Sequence, residues 1–114
     1  MVAKTRRLSV WLSPAALASL EEIWDWNART YGPEQAHRYI TFLRVETAKL
    51  ATLYFAGKSV PSRPKRSCIT IRRHRKGHGH VAVYELIGEI VYVLRYYHTA
   101  QDWQTKLREE AEQG

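Results

Sequence analysis

Two apolar stripes at helical spacing, followed by three runs of alternating character, most constrain what this 114-residue chain can fold into. The first stripe begins at Ser13-Pro14, where a side chain able to cap a helix precedes a proline suited to the first helical position. Gly32 ends this helix and Pro33 opens a second one, which we predict to reach Tyr54. Because the connection is so short, we expect the two helices to be antiparallel neighbours.

Alternating residues predict the strands. They are Arg7–Leu12 before the helices and Cys68–Arg75, Gly79–Ile87 and Glu89–His98 after them. The prolines and basic residues of Lys58–Ser67 predict an irregular loop. Since helices must cover the aliphatic side of the sheet, we expect one α+β domain over residues 1–114. It would have two layers, an N-terminal helical hairpin on a mainly antiparallel four-stranded sheet, with a short helical tail from about residue 100.

Strand register decides which side chains share a side of the sheet. A three-residue turn at Lys76-Gly77-His78 sets Ile71 opposite Val83, and a two-residue turn sets it opposite Ala82. The first alternative places more aliphatic residues on one side of the sheet, so we prefer it. The side opposite the core is then predicted to be basic and aromatic, with Thr70, Arg72, His74, His80, Ala82, Tyr84, Arg95 and Tyr97.

The next hairpin has a tight turn at Gly88-Glu89. Counting outward from this turn pairs Ile87 with Ile90 and predicts that Val83 lies opposite Leu94.

Charge limits the classes of partner. Eighteen Lys and Arg against eleven Asp and Glu give a net charge of +7. The stretch Lys58–Gly77 contains eight basic residues and no acid, and such a stretch attracts a polyanion or an acidic protein. The segment Met1–Leu12 lacks the apolar core of a secretory signal. The single cysteine, Cys68, excludes an internal disulfide, so we expect a cytoplasmic protein.

An ordered set of short motifs covers nearly the whole chain. It comprises Leu12-Ser13-Pro14-Ala15-Ala16-Leu17, Leu20-Glu21-Glu22-Ile23-Trp24-Asp25, Tyr31-Gly32-Pro33-Glu34-Gln35-Ala36, Tyr39-Ile40, His80-Val81-Ala82-Val83-Tyr84 and Val93-Leu94-Arg95-Tyr96-Tyr97-His98. The set resembles the ParE toxins of the RelE/ParE superfamily of type II toxin–antitoxin systems. The resemblance implies a small bacterial toxin neutralised by a cognate antitoxin, and the basic charge favours an acidic antitoxin segment that folds on binding.

The resemblance leaves two targets. ParE-like members are associated with poisoning DNA gyrase, and RelE-like members cleave mRNA on the ribosome. For cleavage, the candidates for acid, base and cation are His80, Arg95, Tyr97 and His98. For a toxin that is not an enzyme, the functional basic face would be Arg72, Arg73, Arg75, Lys76 and Arg95. We favour gyrase, because the N-terminal half is ParE-like and the chain continues beyond the last strand. A nucleic-acid-binding module is a further alternative.

Local structural roles compete with these functions. We expect the ring of His98 to bond a backbone carbonyl or Asp102, and Arg95 to pair with Asp102. His74, His78 and His80 lie close in sequence, but no cysteine cluster or helical histidine pair accompanies them, so we expect no metal and no cofactor. The groove between the helical hairpin and the sheet edge is the expected antitoxin site.

Overall fold

The computed structural model describes residues 6–74 and 78–113, with side chains described up to residue 109. The elements follow the order β1 Ser9–Leu12, α1 Pro14–Tyr31, α2 Pro33–Ala48, α3 Leu50–Leu53, a 3-10 turn Tyr54–Ala56, β2 Lys58–Val60, β3 Arg63–Ile71, β4 His80–Ile87, β5 Ile90–His98 and α4 Trp103–Gln113. The predicted α+β class is confirmed. The second helix ends earlier than predicted, at Ala48, and the short α3 follows.

Local signals position the first two helices. The backbone N–H of Ala16 donates to Ser13 Oγ at 3.0 Å, which caps α1, and Ser13 Oγ donates to the carbonyl of Leu94 at 2.6 Å. Gly32 separates α1 from α2 at a φ of 99°, a conformation that favours glycine. The cap therefore also attaches the start of α1 to the last strand.

The sheet has five strands in the order β1-β5-β4-β3-β2, so the expected four-stranded sheet is wrong. β1 pairs in parallel with β5, and the other neighbours are antiparallel. The segment expected to be a loop, Lys58–Ser67, instead forms β2 and the first half of β3. Its prolines are tolerated because Pro61 lies in the turn and Pro64 lies at the start of β3, near the sheet edge.

The predicted register of the β3–β4 hairpin is wrong. Ile71 pairs with His80 and Ile69 pairs with Ala82, which is the parity of the two-residue alternative. The connection is longer than either turn considered, and part of it, residues 75–77, lies outside the described residues. An odd shift in register moves every side chain of β3 to the other side of the sheet.

A β-bulge changes the register of the β4–β5 hairpin. Near the turn, Ile87 pairs with Ile90 and Tyr84 pairs with Val93, as predicted. The register then shifts between Val83 and Tyr84, so Val83 pairs with Arg95 and not with Leu94. Because β5 has one extra residue here, the side chains of β5 after the bulge share a side of the sheet with other residues of β4 than predicted.

Both sides of the sheet are covered. We call the side under α1 and α2 the hairpin side. Its core includes Leu43, Ala82, Tyr84 and Val93, all buried. The other side, the α4 side, buries Val60, Val81, Val83 and Tyr97 with Leu107 of α4. The predicted basic and aromatic sheet face is therefore wrong: Ala82 and Tyr84 belong to the core, and Tyr97 is only 5% exposed.

Candidate functional site

A cleft of about 860 Å³ separates the far end of the helical hairpin from one end of the sheet. Its helical wall comes from the second half of α1 and the start of α2. Its other wall comes from the residues that follow β3, the start of β4 and the end of β5. Most of its polar side chains belong to residues far apart in sequence, which the strand pairing brings together.

Tyr39 and His80 form a partly buried side-chain contact in the cleft. Tyr39 Oη lies 2.6 Å from His80 Nδ1. Burial raises the pKa of Tyr39 to about 12. Burial, with a smaller effect of His98, lowers the pKa of His80 to about 4. Both groups are therefore neutral at pH 7, and they share one hydrogen bond, in which the phenol donates to Nδ1 or accepts from Nδ1–H according to the tautomer of the imidazole.

His98 continues this contact towards the surface. Its ring centroid lies 5.0 Å from that of His80 and 5.5 Å from that of His78. Its Nδ1 accepts from the backbone N–H of Ala100 at 3.0 Å. Burial, followed by the charge of His78, lowers the pKa of His98. Three imidazole rings therefore line one end of the cleft, with the ring of His98 next to each of the other two.

The predicted ring contact of His98 with a carbonyl or Asp102 is wrong, because the ring accepts from a backbone N–H. Asp102 Oδ1 accepts from the backbone N–H of Thr105 at 3.4 Å, at the start of α4. Hydrogen bonds with Thr105 lower the pKa of the Asp102 carboxyl. The pairing of Arg95 with Asp102 stays a prediction.

The four nuclease candidates lie on two sides of the sheet. His80 and His98 pair across β4 and β5 and line the cleft on the hairpin side. Tyr97 is buried on the α4 side, with its ring 6.1 Å from that of Trp103. Arg95 pairs with Val83, whose side chain also belongs to the α4 side. Sequence reasoning placed His80 beside Tyr97, and the bulge pairs it with His98 instead.

Tyr39 is the cleft residue that sequence reasoning assigned only to the core. Its place in the apolar stripe of α2 is correct, since it packs against the core beside Ile40 and Phe42. Its hydroxyl was the one available signal, because a half-buried tyrosine needs a hydrogen-bond partner.

The residues of the predicted functional basic face lie in separate parts of the structure. Arg72 and Arg73 follow β3, and Arg73 lines the cleft. Arg75 and Lys76 lie outside the described residues, and Arg95 lies within β5. Four other basic side chains, those of Lys58, Arg63, Lys65 and Arg66, belong to the hairpin of β2 and β3 at the sheet edge. We call this pair of strands the basic edge hairpin.

The helical wall of the cleft carries charged and aromatic side chains. Glu22 and Asp25 of α1 line it together with Trp26 and Tyr31. The rings of Trp26 and Tyr31 meet edge to face with their centroids 5.8 Å apart. They are 52% and 63% exposed. The same wall includes Arg29, whose Nε donates to the backbone carbonyl of Asp25 at 3.3 Å. The cleft therefore has two carboxylates, one guanidinium and the aromatic rings on one wall, and a second guanidinium and the imidazoles on the other.

Two further observations concern metal binding and membrane-spanning helices. Among residues 6–74 and 78–113, no group of three or more His, Cys, Asp or Glu side chains could hold a metal ion. Within the same ranges, none of the helices is long and apolar enough to cross a membrane.

Comparison with known proteins agrees with the arrangement of elements. The family profile described as ParE toxin of type II toxin-antitoxin system, parDE, matches residues 10–103. A solved chain of the chromosomal ParDE TA system from P. aeruginosa is similar in structure, with a TM-score of 0.67 and 23% identity. The match covers 79% of this chain and 94% of that one. No curated protein matches the chain.

Because the family profile covers more than half of the sequence, this chain belongs to the ParE toxin family of type II toxin–antitoxin systems. The predicted resemblance is thereby confirmed, and membership of the family implies an antitoxin as partner.

Proposed function

We propose that this protein acts in the cytoplasm as a toxin of DNA gyrase, that it does not cleave RNA, and that an acidic antitoxin segment neutralises it. The observation that carries this proposal is the division of the nuclease candidates between the two sides of the sheet. His80 and His98 lie on the hairpin side, whereas Tyr97 and Arg95 lie on the α4 side. A ribonuclease needs its base, its acid and its cation around one phosphodiester. Of the four candidates only the two histidines share the cleft with the cation Arg73, and Nδ1 of each is already hydrogen-bonded within the protein.

The state of the histidines supports the same conclusion. His80 Nδ1 is already bonded to Tyr39 Oη, and the pKa of His80, lowered to about 4, makes this ring a very weak base. A general acid or base works best with a pKa near the operating pH. Nδ1 of His98 is occupied by the N–H of Ala100. These contacts fit a structural role for both rings.

The basic edge hairpin supports an acidic partner. Lys58 and Lys65 are exposed, and Arg63 and Arg66 are half-buried, on strands at the open edge of the sheet. A sheet edge offers unpaired backbone groups to an incoming extended segment. An acidic antitoxin segment would therefore find charge and backbone complementarity together here. In this proposal the antitoxin site is this edge and not the groove beside the helical hairpin that the sequence led us to expect.

The experiment compares two targets with one toxin preparation. Purified protein is added to gyrase with supercoiled DNA, and separately to ribosomes programmed with mRNA. We expect trapped DNA breaks or lost supercoiling in the first assay and intact mRNA in the second, with addition of antitoxin reversing the effect on gyrase.

Variants separate the roles of the side chains. Arg72→Ala combined with Arg75→Ala should abolish the gyrase effect while the variant remains folded at the assay temperature, as measured by circular dichroism. Lys106→Ala, which removes an exposed cation from α4, is the matched control and should retain the effect. Cleavage of mRNA that is lost in His98→Ala with an unchanged melting curve would overturn the proposal in favour of a ribonuclease.

A further inference from the structure

We propose that the cleft between the helical hairpin and the sheet binds a nucleotide, with the base against Trp26 and the phosphate at Arg73 and His74. The ligand is a nucleobase with an attached phosphate, either free or at the end of a single strand. This site involves none of the residues of the basic edge hairpin, and binding to it does not depend on which enzyme the toxin attacks.

The aromatic side chains at the mouth of the cleft supply the stacking surface. Trp26 and Tyr31 meet edge to face and leave about half or more of their surfaces in solvent. A flat base can stack on such a ring whatever its sequence, since every base has a π face. The exposure of both rings next to a large cavity therefore indicates a planar ligand.

A guanidinium and an imidazole lie on the sheet wall of the cleft, opposite the helical wall that carries this aromatic pair. Arg73 and His74 are both exposed, and both line the cleft just beyond the end of β3. A guanidinium group offers forked N–H donors that match phosphate oxygens. A base stacked on Trp26 would thus have its phosphate directed towards the opposite wall.

Two carboxylates decide which part of the ligand lies at the helical wall. Glu22 and Asp25 are three residues apart on α1, so both reach the same side of the helix. Arg29 lies on the same wall and offsets one of the two negative charges, so this wall keeps a net charge of −1 from these three side chains. Carboxylates accept hydrogen bonds and repel anions, which disfavours the phosphate at this wall and favours the donor edge of a base. Guanine offers two adjacent donors there, its N1–H and its 2-amino group.

The same carboxylates argue against an acidic protein segment as the occupant. Such a segment would bring like charges next to Glu22 and Asp25, whereas a base edge is uncharged. The size of the cleft also fits a small ligand, because about 860 Å³ lies within the usual range of about 300–1,000 Å³ for such sites.

The test is a calorimetric titration of the purified full chain with GMP, IMP, guanosine and a 5′-phosphorylated GpC dinucleotide. We expect saturable binding of GMP with a Kd below about 1 mM. IMP lacks the 2-amino group and guanosine lacks the phosphate, so both should bind more weakly. Tighter binding of the dinucleotide than of GMP would identify a strand end as the source, and weaker binding a free nucleotide; either supports the site.

Variants show where the ligand lies. Trp26→Ala should weaken GMP binding by at least about fivefold, the low end for a stacked base. Trp11→Ala is the matched control, because Trp11 is 59% exposed in β1 and does not line the cleft. Arg73→Ala should weaken GMP by about tenfold and leave guanosine unchanged, as expected for a charge-assisted bond to phosphate.

Three results would overturn the proposal. They are the absence of GMP binding up to 1 mM, an equal loss in Trp11→Ala and Trp26→Ala, and equal affinity for GMP and IMP. If GMP does not bind, and a glutamate-rich peptide binds the wild type but not Trp26→Ala, the cleft is assigned to an acidic protein segment instead.

Discussion

Acidification should destabilise this protein through His80 in particular. The pKa of this imidazole is lowered by burial from 6.5 to about 4 in the folded state. Between about pH 6.5 and pH 4, the His80 imidazole binds a proton in the unfolded chain but not in the folded chain. The stability present above pH 6.5 is therefore lost progressively as the pH falls to about 4, and the loss is complete below that pH.

The size of the loss follows from the shift. A difference of about 2.5 pKa units, at about 1.36 kcal/mol per unit, corresponds to about 3 kcal/mol of unfolding free energy. This is a large part of the total stability of a small domain, which is about 5–15 kcal/mol.

The assay is urea unfolding followed by circular dichroism at several pH values between 7.5 and 4.5. His80→Gln keeps an acceptor for the Tyr39 hydroxyl and removes the titrating ring. All other ionisable groups are the same in the two proteins, so the difference between the two pH profiles isolates His80. We expect the wild type to lose clearly more stability than His80→Gln between pH 6.5 and 4.5. His37→Gln changes an exposed histidine of α2 and should behave like the wild type. Parallel profiles of the wild type and His80→Gln would refute the reasoning.

Three other changes test the core and the partner surface. Leu43→Ala should cost about 2–5 kcal/mol in chemical denaturation, because Leu43 is fully buried; a loss below about 1 kcal/mol would contradict its place in the core. Gly57→Ala would put a Cβ against Tyr84 Oη and disturb its 2.6 Å hydrogen bond to the carbonyl of Tyr54, so the melting temperature should fall, whereas Ala56→Gly at the preceding exposed position should have a smaller effect. Association with the acidic antitoxin should slow markedly as salt rises, and stopped-flow rates independent of salt would exclude steering by the basic charge of the toxin.

The sequence predicts the helices better than the sheet, and the reason is the range of the signals. Ser13-Pro14 and Gly32-Pro33 set helix ends through local backbone chemistry, and both ends are found where predicted. The parallel pairing of β1 with β5 and the bulge beside Val83 depend on contacts between residues distant in sequence. Neither feature is signalled by a glycine or a proline in the sequence. An error of one residue in register is enough to exchange the two sides of a strand.

The candidate site shows the same limit. Sequence reasoning selected His80 and His98, and the strand pairing does bring them together. It could not select Tyr39, which contacts His80 across 41 residues of sequence. It also grouped Tyr97 and Arg95 with these histidines, because the bulge in β5 was not recognisable from the residues alone.

The parallel pairing of β1 with β5 affects the timing of folding during synthesis. The bond between Ser13 and Leu94 closes a loop of 81 residues, so the sheet is incomplete until the last strand has been translated. At about 5–20 residues per second, the ribosome takes about 4–16 s to make this stretch. For those seconds the helical hairpin exists without the strands that bury its apolar stripe. The chain thus cannot complete its sheet until its final strand has been made, and an antitoxin already present has those seconds to reach it.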